Sequence, residues 1–348
     1  MRRPSLHKTF RRDNPRSRRG RIAVILLVSA ASFALAVAGM AGGGYLYVNS
    51  YFSSIHRISG ITALTAADQP RMPAATRRSL TILMLDADVL PPYRHGHGKL
   101  GSSRHAEQMS GLIALLHFNA NRRGASLTAI PPDAVVHIPG HGRKELWDAL
   151  PIGGPSLLIT TVMRLTRIRI DHFAVVDFAD LKSVISAIHG VNVQVTTPFT
   201  SDGYHFHAGR DHLGPDRALA YARDTSVSEI GRGWLQESLI RAFADKAAGL
   251  GPMATLHVAR AVTKALSLDS NFTNTELAAL TFQLRDLHGS QTLWIDAPTT
   301  NGSPVNGGTG PVRLNHKITK HLWYAIRHDR VAAFARRYPS TLTPDAPF

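Results

Sequence analysis

The sequence predicts an α/β fold, an α-β-α sandwich around a central mixed sheet, preceded by one N-terminal transmembrane helix. Three observations predict it. Apolar runs of strand length alternate with helical patterns between residues 79 and 298. One pair of those strands is joined by a short turn-forming linker and others by helices. An uncharged run far longer than a strand, residues 22–48, stands before them all.

That run reads "IAVILLVSAASFALAVAGMAGGGYLYV". Crossing a hydrocarbon core takes about 20 apolar residues, so it is long enough. Residues 1–21 before it hold nine Lys/Arg against Asp13, a net of 9 − 1 = +8, half of the chain's +16. Basic flanks stay on the cytoplasmic side, which puts the rest of the chain outside the cytoplasm, as a single-pass membrane protein. The competing reading is a cleaved signal peptide, with Ala36-Val37-Ala38 as a small-residue cleavage pattern. Signal h-regions run to about 7–15 residues, and the length here favours the anchor. A basic arm also raises nucleic acid. No aromatic or groove-reading pattern accompanies it, and next to a span its charges set topology and meet anionic lipid, so no nucleic-acid partner is expected.

Residues 49–78, ending "AADQPRMPAATRR", read as a stalk. "SLTILMLDAD" (79–88) reads as a buried strand ending in two aspartates. "SGLIALLHFN" (110–119) and "ASLTAI" (125–130) are strands, and the "NANRRG" between them predicts a hairpin. "GPSLLITTVMRLT" (154–166) has helical spacing. "HFAVVDF" (172–178) is a strand, and "ADLKSVISAIHG" (179–190) is a helix stopped by Gly190. "VNVQVTT" (191–197) alternates as a strand. "RALAYAR" and "WLQESLIRAFADKAAGL" are helical, as is 273–287, with Thr273 or Asn274 as its N-cap. "QTLWIDAP" (291–298) closes the pattern as a strand, followed by a Gly/Pro/Asn loop over 299–311. The layout is therefore arm 1–21, span 22–48, stalk 49–78, domain 79–330 and tail 331–348.

Charged residues make up only 18 % of the chain, so its bulk is not a disordered polyelectrolyte. No cysteine is present, which excludes disulfides, thiolate zinc sites and a cysteine nucleophile.

The segments "LTILMLDAD", "LTAIPPDAVVHIPGHG", "GGPSLLITTV", "IDHFAVVDFADLKSVISAIHGVNVQV", "GYHFHAGRDHLGPDRALAYAR" and "IGRGWLQ" stand in an order and spacing that resembles the LytR-CpsA-Psr family of cell-envelope proteins. The resemblance covers residues 79–250 and extends more loosely to about 330. It implies a membrane-anchored phosphotransferase. Such a protein takes a glycopolymer from a polyprenyl-pyrophosphate carrier and attaches it to peptidoglycan or another wall polymer. It also implies an apolar tunnel for the polyprenyl tail and Mg2+ with several arginines around the pyrophosphate. Arginine suits phosphate because its fork meets two oxygens at once. Magnesium wants one or two carboxylates, with substrate oxygens and water filling the rest.

Carried over residue by residue, the resemblance assigns Asp88, Arg223 and Arg232 to catalysis. It assigns Asp133, Arg223, Glu229, Arg232 and Gln236 to substrate binding, with Glu229 replacing the family's aspartate. Asp88, with the additional Asp86, would hold the metal; alternation puts these two on one side of a strand. Several family charges are absent. Its Arg-Ser-Asp falls on Met109-Ser110-Gly111, and the arginine before Asp133 is Pro132. The second arginine of its Arg-x-Arg is Thr225, and a further arginine is Leu235. Two readings follow: a phosphotransferase, or a catalytically impaired relative that binds lipid carrier or wall polymer as a scaffold. A regulator, the role in the family's historical name, fits poorly with a domain outside the cytoplasm.

Each assignment has a plainer alternative. Arg223 and Arg232 also fit as surface helix charges. His95, His97 and His105 form a His-rich loop that either binds a metal or is simply solvated. Leu157, Leu158, Val162, Val184, Ile185 and Ile188 either line a lipid tunnel or are ordinary core.

Overall fold

The computed structural model describes residues 52–65, 69–86, 112–176, 181–224, 229–248, 258, 261–283, 292–300 and 312–343. The basic arm, the apolar run 22–48, Asp88 and the His-rich loop lie outside these residues. Among the described residues no helix is long and apolar enough to cross a membrane.

The central sheet has seven strands: β1 (His56–Ile58), β2 (Leu80–Asp86), β3 (Ile113–Phe118), β4 (Ala125–Ala129), β7 (His172–Val176), β12 (Leu266–Asp269) and β13 (Thr292–Asp296). Their order is β1-β12-β7-β2-β3-β4-β13. β2 runs parallel to β7, β13 to β4 and β1 to β12, whereas β3 is antiparallel to β2 and β4, and β12 to β7. This is the mixed sheet expected from the alternation of short and long connections. The β3–β4 hairpin closes as predicted: Asn119 N donates to Gly124 O at 3.0 Å, and Arg122 takes a left-handed φ of 57° in the turn.

Both faces of the sheet are covered, because side chains alternate across it. Leu83, Leu85, Ile113, Leu115, Phe173, Val175 and Ile295 point to one face. There they pack on α1 (Ala149–Thr166), α6 (His316–Arg327) and α7 (Val331–Arg337). Ile82, Ala114, Leu127, Ala174 and Val176 point to the other. They meet α2 (Leu181–Ala187), α3 (Pro215–Ala222), α4 (Glu229–Ala248) and α5 (Asn274–Gln283).

The helix ends follow their sequences. Within α1, Gly154 has φ 66° and breaks the helical path, and the regular helix resumes at Pro155, a favoured first position. Thr273 caps α5 by a reciprocal pair: Glu276 N donates to Thr273 Oγ1 at 3.2 Å, and Thr273 N to Glu276 Oε2 at 2.8 Å. Gly190 stops α2 with φ 81°. Apart from the sheet, β5 (Val135–Ile138) pairs antiparallel with β6 (Gly142–Glu145), β9 (Phe199–Ser201) with β10 (Tyr204–Phe206), and β8 (Val191–Val195) with β11 (Gly209–Leu213); Val191, Val193 and Val195 are buried against α3 and α4.

Three expectations change. Residues 52–65 and 69–78 are not a simple stalk: β1 adds to the sheet edge beside β12, and Ile55, Ile58 and Ile61 are buried. Residues 331–343 are not a free tail: Val331 and Phe334 of α7 enter the main core. The apolar residues offered as one lipid tunnel divide between layers. Leu158 and Val162 pack on one face of the sheet, and Ile185 and Ile188 on the other. Among the described residues, α1 and α2 thus pack on opposite faces of the sheet.

Candidate active site at the carboxyl ends of the strands

The carboxyl ends of β2, β7, β4 and β13 gather at one edge of the sheet, because these four run the same way. In open α/β sheets this edge is where ligands bind. Asp86 is the last residue of β2 and stands in register with Val176, the last residue of β7. Val176 packs in the same apolar cluster as Tyr221, Ala222 and Leu235. The chain position of Arg223 and the second turn of α4 are thereby brought to the end of the strand that carries Asp86.

Arg223 follows α3 directly. Its backbone N donates to Leu219 O at 3.1 Å, which ends the helix, and its side chain is half-buried. Asp224 beside it is 2 % exposed. The sequence gives no sign of that burial, since an acid between an arginine and a polar linker reads as loop. Tyr221 is wholly buried and stacks edge-on to Phe206 at 5.5 Å. Burial pushes its hydroxyl pKa up to about 12, an effect the Ser238 hydroxyl moderates.

Glu229 opens α4 and Arg232 sits in its first turn. Gln236, one turn on, is 2 % exposed, and its Nε2 lies 3.5 Å from Ala222 O, at the end of α3. Gln236 thus ties the helix of Arg232 to the helix that precedes Arg223. Leu235 is 1 % exposed in the same cluster. Where the resemblance calls for an arginine, this chain has a core residue.

Asp133 lies beyond β4, in a turn closed by Ala134 N donating to Pro131 O at 3.1 Å. β4 is two strands from β2, about 10 Å at ordinary strand spacing. Among the described residues, Asp133 Oδ1 is buried without a hydrogen-bond partner. Burial raises the Asp133 pKa, its own backbone N–H opposes the rise, and Glu145 adds to it. An unpaired buried carboxylate oxygen is one that a hard cation or a ligand hydroxyl satisfies. Among the described residues no three His, Asp or Glu side chains cluster closely enough to hold a metal.

The structure places Asp86 at the end of β2, Arg223 just after α3, Glu229, Arg232 and Gln236 in the first turns of α4, and Asp133 in a turn beyond β4. Val176 links Asp86 directly to the α3–α4 cluster, whereas Asp133 stands apart on its own turn.

The profile of the LytR_cpsA_psr family matches residues 48–322. A teichoic acid transferase TagU of Enterococcus faecalis (named in full a polyisoprenyl-teichoic acid–peptidoglycan teichoic acid transferase) is 28 % identical over 170 residues. That alignment takes in 47 % of this chain and 56 % of TagU, so the chain matches little more than half of that relative's length. The crystal structure of Bacillus subtilis TagV superposes with a TM-score of 0.57 at 21 % identity, over 73 % of this chain and 98 % of TagV. The LytR-CPS2A-psr family protein YwtF (TagT), solved with bound octaprenyl pyrophosphate lipid, gives 0.52 at 21 %, over 76 % and 95 %. These two likenesses show the fold. With the profile spanning the sheet, the α3–α4 cluster and most of α6, the chain belongs to the LytR_cpsA_psr family.

Proposed function

We propose that this protein binds a polyprenyl-pyrophosphate-linked glycopolymer at the outer face of the cell membrane, anchored there by residues 22–48, and transfers it to peptidoglycan or another wall polymer. The observation that carries the reading is the register pair of Asp86 with Val176, which joins an acidic strand end to the cluster holding α3 and α4. Acids on strand ends opposite arginines on helix ends are what a metal-assisted pyrophosphate site needs. The relatives add weight: TagU is named for teichoic acid transfer, and TagT holds a polyprenyl pyrophosphate.

In the transfer, a hydroxyl oxygen of the acceptor bonds to the sugar-bearing phosphorus. The bond from that phosphorus to the bridging oxygen breaks, the hydroxyl proton is lost and polyprenyl phosphate leaves. Arg223 and Arg232 would take the phosphate oxygens, Gln236 would hold α4 against α3, and Asp133 would be a further substrate-binding acid beside the pyrophosphate. Asp88 with Asp86 would hold Mg2+, which neutralises pyrophosphate charge when bound.

The second reading, a scaffold that binds without transferring, is favoured by one observation. Leu235 is packed in the core, so no guanidinium reaches the phosphate from that position. Each lost charge-stabilising donor costs about 2–4 kcal/mol of transition-state stabilisation, enough to slow transfer severely.

Titrating octaprenyl pyrophosphate into the wild type and Arg232→Ala, each with and without Mg2+, tests the site. Binding should depend on Mg2+, and Arg232→Ala should weaken it by about 1.5–3 kcal/mol, the scale of a charge-assisted hydrogen bond. Four equal affinities would make Arg232 a surface charge and remove the clamp. Release of polyprenyl phosphate from a lipid-linked glycan on addition of peptidoglycan separates the transferase from the scaffold.

A further inference from the structure

The charge of the chain is concentrated in two places, and only the first is the arm at residues 1–21. Residues 312–343 carry Arg313, Lys317, Lys320, Arg327, Arg330, Arg336 and Arg337 against one acid, Asp329, a net of 7 − 1 = +6. Arm and C-terminal segment together hold 8 + 6 = 14 of the net 16 charges. The family match ends at residue 322, inside α6, so much of this segment lies beyond it.

The fold turns these charges outward. α6 buries Leu322, Trp323, Ala325 and Ile326 and exposes Lys317, Lys320, His321 and Tyr324. Those four, with His328, fall at i, i+3, i+4, i+7 and i+11, one stripe about 16 Å long at 1.5 Å per residue. Asp329, the only acid, points inward to His117 and Ala120 N and does not neutralise the stripe. Among the described residues no carboxylate pairs with Lys317, Lys320, Arg330, Arg336 or Arg337.

Aromatic rings lie among the cations. Tyr324 is 46 % exposed and stacks on His328 at 3.9 Å. Tyr338 Oη lies 3.1 Å from His321 Nδ1, and Arg337 stands 5.5 Å over the Tyr338 ring, so the end of α7 joins the stripe. The stripe also starts at the edge where the candidate site lies: Asn315 N donates to Pro298 O at 2.7 Å, just past the carboxyl end of β13.

We propose that the outer stripe of α6 with the end of α7 is a track for an acidic polysaccharide, whose anionic groups meet the cations while its sugar faces rest on Tyr324 and Tyr338. Membrane insertion fits the surface poorly, since the apolar face of α6 is already buried in the core. Recurring anionic groups suit unpaired cations set along a line, and ring faces suit the apolar side of a pyranose. The proposal extends the glycopolymer reading by giving the polymer its charge and its path.

The test uses the full chain in neutral detergent and fluorescent polygalacturonate of about 20 sugars at low salt. Two quadruple variants are compared, both retaining the basic arm. One is Lys317→Ala, Lys320→Ala, Arg336→Ala, Arg337→Ala; the other removes four equally exposed cations, Arg143, Lys144, Arg164 and Arg167, in the same way. The stripe variant should lose at least tenfold in affinity and have a weaker salt dependence, because fewer counterions are released. The control variant should lose less than threefold. Tyr324→Ala should weaken polygalacturonate but leave inorganic polyphosphate unchanged. Equal losses in the two quadruple variants overturn the proposal, and so does an unchanged stripe variant. Stripe-dependent binding of a DNA duplex or of vesicles with 30 % phosphatidylglycerol that exceeds polygalacturonate binding also overturns it. The stripe variant should bind octaprenyl pyrophosphate as the wild type does, so failure of the track and failure of the pyrophosphate site are read separately.

Discussion

His117 Nε2 lies 2.9 Å from Asp329 Oδ1, joining the middle of the sheet to the turn between α6 and α7. His117 is fully buried, and its Nδ1 stands 2.9 Å from Thr81 Oγ1 on the next strand. Asp329 Oδ2 also accepts Ala120 N at 2.7 Å, beside the β3–β4 turn. Three segments distant in sequence are thus fastened at one carboxylate, which also keeps the only acid of residues 312–343 away from their cationic face.

Asp329→Ala should cost about 2–3 kcal/mol, because a buried ring nitrogen and a backbone N–H both lose their acceptor. Asp329 has φ 53°, a left-handed conformation that Asp and Asn tolerate better than Ala. Asp329→Asn should therefore cost less, about 1 kcal/mol, since its oxygen still accepts one bond. Urea unfolding of both variants checks the order, and equal costs would show that backbone strain dominates.

The same contact explains what the sequence hid. Strands β2, β3, β4, β7 and β13 were legible because their apolar runs are bounded by turn residues, and α5 because Thr273 and Glu276 form a cap. β1 was not: "HRI" is three residues long, and only its partner β12, over 200 residues away, makes it a strand. α7 reads as a charged tail, and its burial depends on Phe334 meeting a core assembled from other segments. At the candidate site, acids and arginines were legible as residue types at family positions. That Leu235 faces the core and Gln236 bridges two helices depends on the packing of α4, which no local pattern encodes.

Gly190→Ala should be strongly destabilising. Gly190 has φ 81°, and a Cβ there would press on the His212 ring and stand 2.9 Å from Leu213 O. The strain of φ adds to a clash with a backbone atom that cannot swing away, for a total of about 2–3 kcal/mol. Gly203→Ala is the comparison, with φ 77° and open space, and should cost only about 1 kcal/mol. Thermal melts of the two separate strain from clash.

Asp133 governs a pH dependence. Its folded pKa is raised, chiefly by burial, so between the unfolded and folded values the native state binds more protons than the unfolded one. Stability contributed here is complete below the unfolded pKa and falls as pH rises through the folded one. Asp133→Asn removes the ionisation. It should be more stable than wild type at pH 7, and the difference should shrink as pH falls below the ordinary carboxylate range. Urea midpoints at a series of pH values check it; a constant difference would mean that ionisation is not the cause. Loss of lipid-pyrophosphate binding in the same variant would show that Asp133 is kept for its ligand despite that cost.

Leu235→Arg restores the charge that the family places in this turn and tests which reading of the site holds. Leu235 is 1 % exposed among Val176, Tyr221, Ala222 and Leu239. The residues of that cluster are all apolar, and an unpaired buried charge costs about 3–5 kcal/mol. The chain's flexible stem lets some of that charge reach the surface, so the lower end of the range is expected. Leu235→Met keeps the volume and should cost less than about 1.5 kcal/mol. The scaffold reading predicts that Leu235→Arg destabilises the fold without improving octaprenyl pyrophosphate affinity. Under the transferase reading the side chain reaches the strand end instead, where affinity rises and the melting temperature falls little. Measuring melting temperature and lipid affinity on the one variant decides between a position given over to packing and a vacated place in the phosphate clamp.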